Sequence, residues 1–265
     1  MDLIGWMRGL GGKLPLIDSR ESLEETARLM GVLPFFPNCV KGLSVEEMCA
    51  PGMLFGGNYE EGCWEWKGPV IRRKTSAYGK FFMRKAGFVS LDLLPDFLNY
   101  RRKKYPVKPF STEEMLLDII RENGDITSTE LKNYIFGGRK SERKAGDLPE
   151  GKKGKISHPS EIESHPGDEA VGMAGDGKRK GLEAPLQRLQ MGGWILISDF
   201  QYKMTKKGER YGWGVARYST PEYHFPDMET DLEGRSADES LKKIIKEVKK
   251  RYPRASEKAL RWILK

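Results

Sequence analysis

The sequence predicts an α+β protein that contains a winged helix, in which three helices are followed by a β-hairpin. Capping boxes at Ser111–Glu114 and Thr127–Glu130 mark the starts of two helices. Leu182, Leu186 and Leu189 recur at helical spacing and predict the third helix. Alternating apolar residues then predict two strands, so the order of elements is that of a helix-turn-helix with a β-hairpin wing.

The predicted wing is basic. Its strands are Trp194–Tyr202 and Tyr211–Tyr218, and they are joined by the segment Lys203–Arg210. A third capping box at Ser236–Glu239 opens a C-terminal helical segment, which ends in a short helix over Ser256–Leu264.

Upstream of the winged helix, the pattern is more mixed. A helix is predicted over Ser19–Met30, ended by Gly31, and a helical turn over Ser44–Cys49. Trp64–Val89 is interpreted as β-structure with a turn at Lys85–Gly87, because aromatic and polar residues alternate there. A further helix follows, with Pro95 in its first turn.

Composition suggests three parts. Residues 138–181 contain no Phe, Tyr or Trp and are rich in Gly, Pro, Lys and Glu, so they predict a flexible insertion. We expect an N-terminal winged-helix-like α+β unit at residues 1–109, a winged-helix unit at 110–228 that carries this insertion, and the C-terminal helical segment at 229–265.

The charge balance favours a nucleic-acid partner. The chain has 46 Lys and Arg against 38 Asp and Glu, a net charge of +8. Residues 137–181 hold ten basic and eight acidic side chains, so +6 of that charge belongs to the rest of the chain. A basic folded surface is typical of DNA-binding proteins.

Several other classes of protein are not expected. The three cysteines, Cys39, Cys49 and Cys63, show no C-x-x-C spacing, and His158 and His165 lie in the insertion, so no metal site is expected. There is no phosphate-binding glycine loop, hence no nucleotide cofactor, and no other cofactor is expected. No apolar run is long enough to cross a membrane and no signal peptide is visible, which predicts a cytoplasmic protein.

Two groups of residues are candidates for DNA contact. In a winged helix the third helix enters the major groove, where Arg reads guanine and Gln reads adenine, and the wing follows the phosphates. The first group is therefore Gln187, Arg188, Gln190, Lys203, Lys206, Lys207 and Arg210, with Lys178–Lys180 just upstream. The second group combines cations with an aromatic ring and comprises Arg72, Arg73, Lys74, Tyr78 and Lys80.

Glu65 is the candidate catalytic residue. It lies between Trp64 and Trp66, and a carboxylate that is partly buried among aromatic rings can act as a general base. The alternative is that the aromatic residues form a sheet core and that Glu65 belongs to an ion pair.

The chain resembles the AlkZ-related family, distant relatives of the AlkZ (YcaQ-type) bacterial DNA glycosylases. The resemblance spans Ser19–Phe225. The strings that carry it are Trp64–Pro69, Ala77–Phe82, Ala86–Ser90, Leu94–Phe97 with Asn99–Arg102, Leu186–Met191 and Tyr211–Ala216.

The resemblance implies a tandem winged-helix architecture with a positive DNA-binding face. It also implies a departure from the enzymes, which carry a Gln-x-Gln or Gln-x-Asp motif after the first helix. The matching place here reads Leu33-Pro34-Phe35-Phe36, and the only glutamines are Gln187, Gln190 and Gln201. No catalytic residue is therefore carried over.

Together these features predict a DNA-binding winged-helix protein that recognises damaged or structured DNA. Two alternatives stay open. One is a diverged DNA glycosylase or lyase that uses Glu65, and the other is a non-enzymatic protein-interaction module.

Overall fold

The computed structural model describes residues 15–56, 61–136, 181–208, 210–230 and 232–265. The predicted flexible insertion therefore lies almost wholly outside the described residues, as do His158, His165 and Lys178–Lys180. Within the described ranges, none of the helices combines the length and the apolarity needed to span a bilayer.

Two modules with the same order of elements make up most of the structure. The first module comprises α1 (Arg20–Met30), β1 (Val32–Pro34), α2 (Val45–Met48), α3 (Cys63–Arg72), β2 (Ser76–Phe82) and β3 (Lys85–Ser90). After the connecting helix α4 (Leu94–Lys104), the second module comprises α5 (Thr112–Asn123), β4 (Asp125–Thr127), α6 (Ser128–Phe136), α7 (Glu183–Met191), β5 (Leu196–Met204) and β6 (Arg210–Ser219).

Each module has a small antiparallel sheet with its third strand in the middle. The orders are β1-β3-β2 and β4-β6-β5. In the first sheet Leu33 is opposite Phe88, and in the second Ile126 is opposite Tyr218. The fold is thus α+β, as predicted, and its two modules share one topology.

The helix ends follow local sequence signals. The Ser19 side chain accepts a hydrogen bond from the backbone N–H of Ser22 at the start of α1, and Gly31 ends this helix with φ of 79°. Ser111 caps α5 in the same way, and Gly124 ends it with φ of 71°. The helix ended by Gly31 was predicted from that glycine and its apolar face, and α5 was predicted from Ser111 and Gly124; both predictions are confirmed.

The interpretation of Trp64–Val89 as β-structure is wrong in its first part, which forms helix α3. Its inward positions are Cys63, Trp66, Lys67, Val70 and Ile71, which is helical spacing. The lysine in this set hides the apolar periodicity. Pro69 also lies inside the helix, where a helix breaker is not expected.

The turn predicted at Lys85–Gly87 is also displaced. The chain turns at Met83 and Arg84, which have φ of 49° and 67°, and Lys85 already belongs to β3. Two consecutive positive φ values are the geometry of a type I′ hairpin, which usually carries Asn or Gly. Met-Arg offers no such signal.

The two modules pack against each other through equivalent elements. Helix α3 of the first module lies against β5 of the second, and α7 of the second lies against β2 of the first. Strands β2 and β5 are also in contact, with the Tyr78 and Phe200 rings 6.1 Å apart. Each module therefore covers the third helix of the other on one side.

The C-terminal helices pack on the connecting helix. They follow the short helix α8 (Pro221–His224) and are α9 (Ala237–Arg251) and α10 (Glu257–Ile263). Helix α9 lies along α4, where the buried Asp96 of α4 forms ion pairs with Arg235 and Lys243. The buried apolar side chains of both modules and of these helices form one continuous core.

Candidate nucleic-acid interface

The β5–β6 hairpin presents exposed lysines at its tip. Lys203 is the penultimate residue of β5, and Lys206 and Lys207 lie in the turn that follows. Among the described residues, no carboxylate is within ion-pair distance of these three ammonium groups. Their charges are therefore not neutralised by a carboxylate in the described part of the chain. Arg210, predicted for the same role, begins β6, but its side chain lies outside what the structure describes.

The cations at the C-terminal end of α3 are partly engaged in ion pairs. Arg72 contacts Asp199 of β5 at 2.7 Å, and Arg73 contacts Glu24 of α1 at 3.0 Å. Pairs this exposed contribute only about 0–1 kcal/mol, so a phosphate can displace the carboxylate. Lys74, with φ of 55°, is exposed and has no carboxylate partner among the described residues.

Helix α7 exposes only a narrow face. Arg188 is exposed and paired with Glu113 at the start of α5. Gln187 is half-buried and donates a hydrogen bond to the carbonyl of Arg84 at 3.3 Å. Gln190 is 1% exposed, and its amide oxygen accepts a hydrogen bond from the backbone N–H of Lys80. Of the three side chains predicted to read bases, only Arg188 extends into solvent.

The aromatic residue predicted to stack on DNA is inside the protein. Tyr78 is buried between the rings of Phe88 and Phe200, at centroid distances of 4.8 and 6.1 Å. Burial raises the pKa of its phenol above the usual range. Lys80, two residues along β2, is half-buried. Tyr78 therefore supports the contact between the modules and has no free ring face to offer a base.

Glu65, the candidate general base, has a structural partner in its own helix. One of its carboxylate oxygens accepts a hydrogen bond from the backbone N–H of Gly62 at 3.1 Å, at the start of α3. A carboxylate at the N-terminus of a helix is stabilised there by the unpaired N–H groups.

The place that corresponds to the catalytic motif of the glycosylases is apolar. Leu33 and Phe35 are fully buried, and the rings of Phe35 and Phe36 pack on Trp64 at 5.5 and 6.1 Å. No side chain in this segment carries a group able to bind a water molecule or a sugar cation. Across the described residues, moreover, no cluster of His, Cys, Asp and Glu is arranged to hold a metal ion.

Sequence reasoning missed Lys67, which is the buried cation of this region. It is 2% exposed, and its ammonium group lies 3.6 Å from the centroid of the Trp64 ring and 4.8 Å from that of Phe200. Burial lowers the pKa of Lys67 to about 7, although the nearby Glu65 carboxylate acts in the opposite direction. Lys67 thus joins α3 to β5 through a cation–π contact.

Comparison with known proteins identifies the family to which this chain belongs. The model of the AlkZ-related family matches residues 17–265, and the chain is a member of that family. No curated protein and no solved structure matches the chain significantly. Membership indicates a role related to DNA repair or DNA binding, and it extends the resemblance seen in the sequence to the C-terminal helices.

Proposed function

We propose that the protein is a tandem winged-helix protein that binds duplex DNA through the β5–β6 hairpin and the cations around it. The observation that carries the proposal is the hairpin tip, where Lys203, Lys206 and Lys207 are exposed and have no acidic partner among the described residues.

The repeated topology supports the winged-helix assignment. In both modules a helix, a strand, two helices and two further strands follow each other, and the third strand lies in the middle of the sheet. That is the order of a winged helix, and the hairpin of the second module is its wing. Family membership supports DNA as the partner of this wing.

The proposed interface consists of the wing, Arg188 and the cations at the C-terminal end of α3. Arg72 ends α3 and pairs with Asp199 of β5, the strand that leads into the wing, and Arg73 and Lys74 follow it directly in the chain. Gln190 and Tyr78 are not included, because protein contacts occupy them. Excision chemistry is not proposed, because the Glu65 carboxylate caps a helix and the segment that matches the catalytic motif is apolar.

The test is a triple charge reversal at the tip, Lys203→Glu, Lys206→Glu and Lys207→Glu. Each phosphate contact contributes close to one unit to the slope of log K against log salt concentration. We expect the affinity for a 20-base-pair duplex to fall about tenfold or more, and the slope to become shallower by about 2–3. Fluorescence anisotropy across a salt series measures both quantities.

The matched control reverses three exposed lysines of the C-terminal helices, Lys246, Lys249 and Lys258. Both triple variants lower the net charge from +8 to +2, so a difference between them reports position and not charge alone. Equal losses in the two variants would show that the wing is not the contact. Wild-type protein that does not bind DNA at 50 mM salt would leave the protein-interaction alternative.

A further inference from the structure

A pocket of about 550 Å³ lies on the side of the second module where α7, the end of α4 and the turn between β2 and β3 meet. Its walls include the rings of Tyr105 and Trp194 and the side chains of four cations, against a single carboxylate, Glu113. The cations are Arg84, Lys104, Lys108 and Arg188. Pockets of 300–1,000 Å³ with apolar walls and a few charged groups are typical of small-molecule and cofactor sites.

Among the described residues, three of these four cations have no acidic partner. Arg84 lies in the tight β2–β3 turn, with φ of 67°, and Lys108 lies in the segment between α4 and α5. Over the described part of the chain, neither contacts a carboxylate. Arg188 is paired with Glu113, and the Lys104 ammonium is hydrogen-bonded to the Tyr100 hydroxyl. The pocket therefore has positive charge available for an anion.

The aromatic wall is fixed in place. The Trp194 indole N–H donates a hydrogen bond to the backbone carbonyl of Tyr105 at 2.8 Å, and the Arg102 guanidinium lies 5.0 Å from the centroid of the Trp194 ring. A planar ring held in this way, beside cations, suits a ligand with a flat apolar part and a negative charge. A nucleotide combines both properties.

Phe110 adds an independent observation. It lies in sequence between the pocket residues Lys108 and Ser111, and its side chain is fully exposed. Its φ is 58°, in the left-handed region that residues other than glycine rarely adopt, and its backbone N–H donates to the Glu114 carboxylate at 2.6 Å. An aromatic ring held in solvent by a strained backbone, beside a basic pocket, is placed to stack on a base.

We propose that this pocket binds one unpaired nucleotide of a DNA strand, with its base against Trp194 and Tyr105, its phosphate at Arg84 and Lys108, and the next base stacked on Phe110. The proposal rests on the proposed function, since it shares Arg188 with the DNA-binding surface. It goes further by naming an extrahelical nucleotide as the feature that the protein selects.

The probes are two 20-base-pair duplexes, one fully paired and one with a single bulged 2-aminopurine nucleotide. We expect wild-type protein to bind the bulged duplex at least fivefold more tightly, and the 2-aminopurine emission to change on binding. Arg84→Ala with Lys108→Ala should abolish this preference while lowering the affinity for the paired duplex by about twofold. Lys246→Ala with Lys258→Ala, which makes the same change in net charge, should preserve the preference.

Phe110→Gly is the second variant, and its folding is not at risk, because the ring is exposed and glycine accepts the positive φ. Since stacking of one base on an aromatic ring contributes about 1–3 kcal/mol, we expect a loss of about fivefold or more for the bulged duplex only.

The outcomes separate the two proposals. Wild-type protein that binds both duplexes equally, or a preference retained in Arg84→Ala with Lys108→Ala, would overturn the pocket and leave DNA binding by the wing intact. Absence of binding to either duplex would overturn the function itself. Displacement of the bulged duplex by a ten-residue polyglutamate peptide at equal concentration would assign the pocket to an acidic protein segment instead.

Discussion

The side-chain amide oxygen of Gln190, on α7, accepts a hydrogen bond from the backbone N–H of Lys80, on β2, at 2.9 Å. The ladder between β2 and β3 is irregular from Gly79 to Phe82, so the Lys80 N–H faces away from β3. Gln190 occupies that site, and its amide nitrogen donates to the carbonyl of Leu186. Two residues predicted to contact DNA are thus in contact with each other, and they join the two modules.

Replacing Gln190 by leucine should destabilise the protein. Leucine has a similar size but leaves the Lys80 N–H buried without an acceptor, which costs about 1–3 kcal/mol. Urea unfolding at pH 7 measures the loss. Gln187→Leu is the control, because its contact with the Arg84 carbonyl is longer, at 3.3 Å, and exposed to solvent, so we expect a change under about 1 kcal/mol. Equal stabilities of wild type and Gln190→Leu would show that this hydrogen bond does not hold the modules together.

The elements that sequence predicted well are those defined by local signals. Ser111 and Gly124 bound α5, and Ser236 caps α9, because capping depends on residues within one turn of the helix end. Helix α3 was not predicted, because Lys67 occupies an inward position that would ordinarily be apolar. The local pattern of tryptophans and polar residues was indistinguishable from that of a strand.

Only those parts of the candidate site that depend on residues close together in the chain could be predicted from the sequence. The lysines of the β5–β6 hairpin follow from the hairpin pattern, and the structure places them at its exposed tip. The burial of Tyr78 and Gln190 depends on the other module covering them, which is a contact between residues about a hundred positions apart. Nothing in the neighbouring sequence reports such a contact. The Arg84–Trp194 pocket was missed for the same reason.

Gly31 should tolerate alanine much less well than Gly52. Both have positive φ, 79° and 81°. A Cβ on Gly31 would lie 2.7 Å from both Arg251 and Leu93, whereas a Cβ on Gly52 would meet nothing within 4 Å. We expect a loss of about 1–2 kcal/mol for Gly52→Ala from the backbone alone, and a further 1–3 kcal/mol or so for Gly31→Ala from overpacking. Urea unfolding of both variants checks this, and a smaller loss at Gly31 than at Gly52 would contradict it.

Asp96 should make stability depend on pH in the acid range. Burial would raise the pKa of this carboxyl, but the ion pairs with Lys243 and Arg235 and a hydrogen bond from Ser240 hold it below its usual value of about 3.9. A depressed pKa in the folded state means that the stabilisation is present above about pH 4 and is lost as pH falls through the folded pKa.

Asp96→Asn should therefore lower the free energy of unfolding at pH 7 by about 1–3 kcal/mol, since it weakens the hydrogen bonds that this buried carboxylate accepts from Arg235, Lys243 and Ser240. The difference from wild type should shrink as pH falls from 5 to about 2. Asp118→Asn, which removes an exposed ion pair with Arg121, is the control and should cost under about 1 kcal/mol at every pH. A gap between wild type and Asp96→Asn that stays constant with pH would argue against the ion-pair account.

Lys67 should make stability depend on pH in the neutral to alkaline range. Burial lowers its folded-state pKa to about 7, whereas in the unfolded chain it is about 10.4. Between these values the unfolded state binds more protons, so the free energy of unfolding should rise with pH from about 7 to 9. Lys67→Met keeps the length of the side chain and removes the titrating group. We expect this variant to be more stable than wild type at pH 7, to lack the rise, and to lose part of its advantage by pH 9. Urea unfolding at pH 6, 7, 8 and 9 measures the effect.

Lys246→Met, at an exposed position of α9, should leave the rise unchanged. A rise that persists in Lys67→Met would assign it to another group, and a Lys67→Met variant less stable than wild type at pH 7 would mean that the contact of the ammonium with Trp64 outweighs its burial.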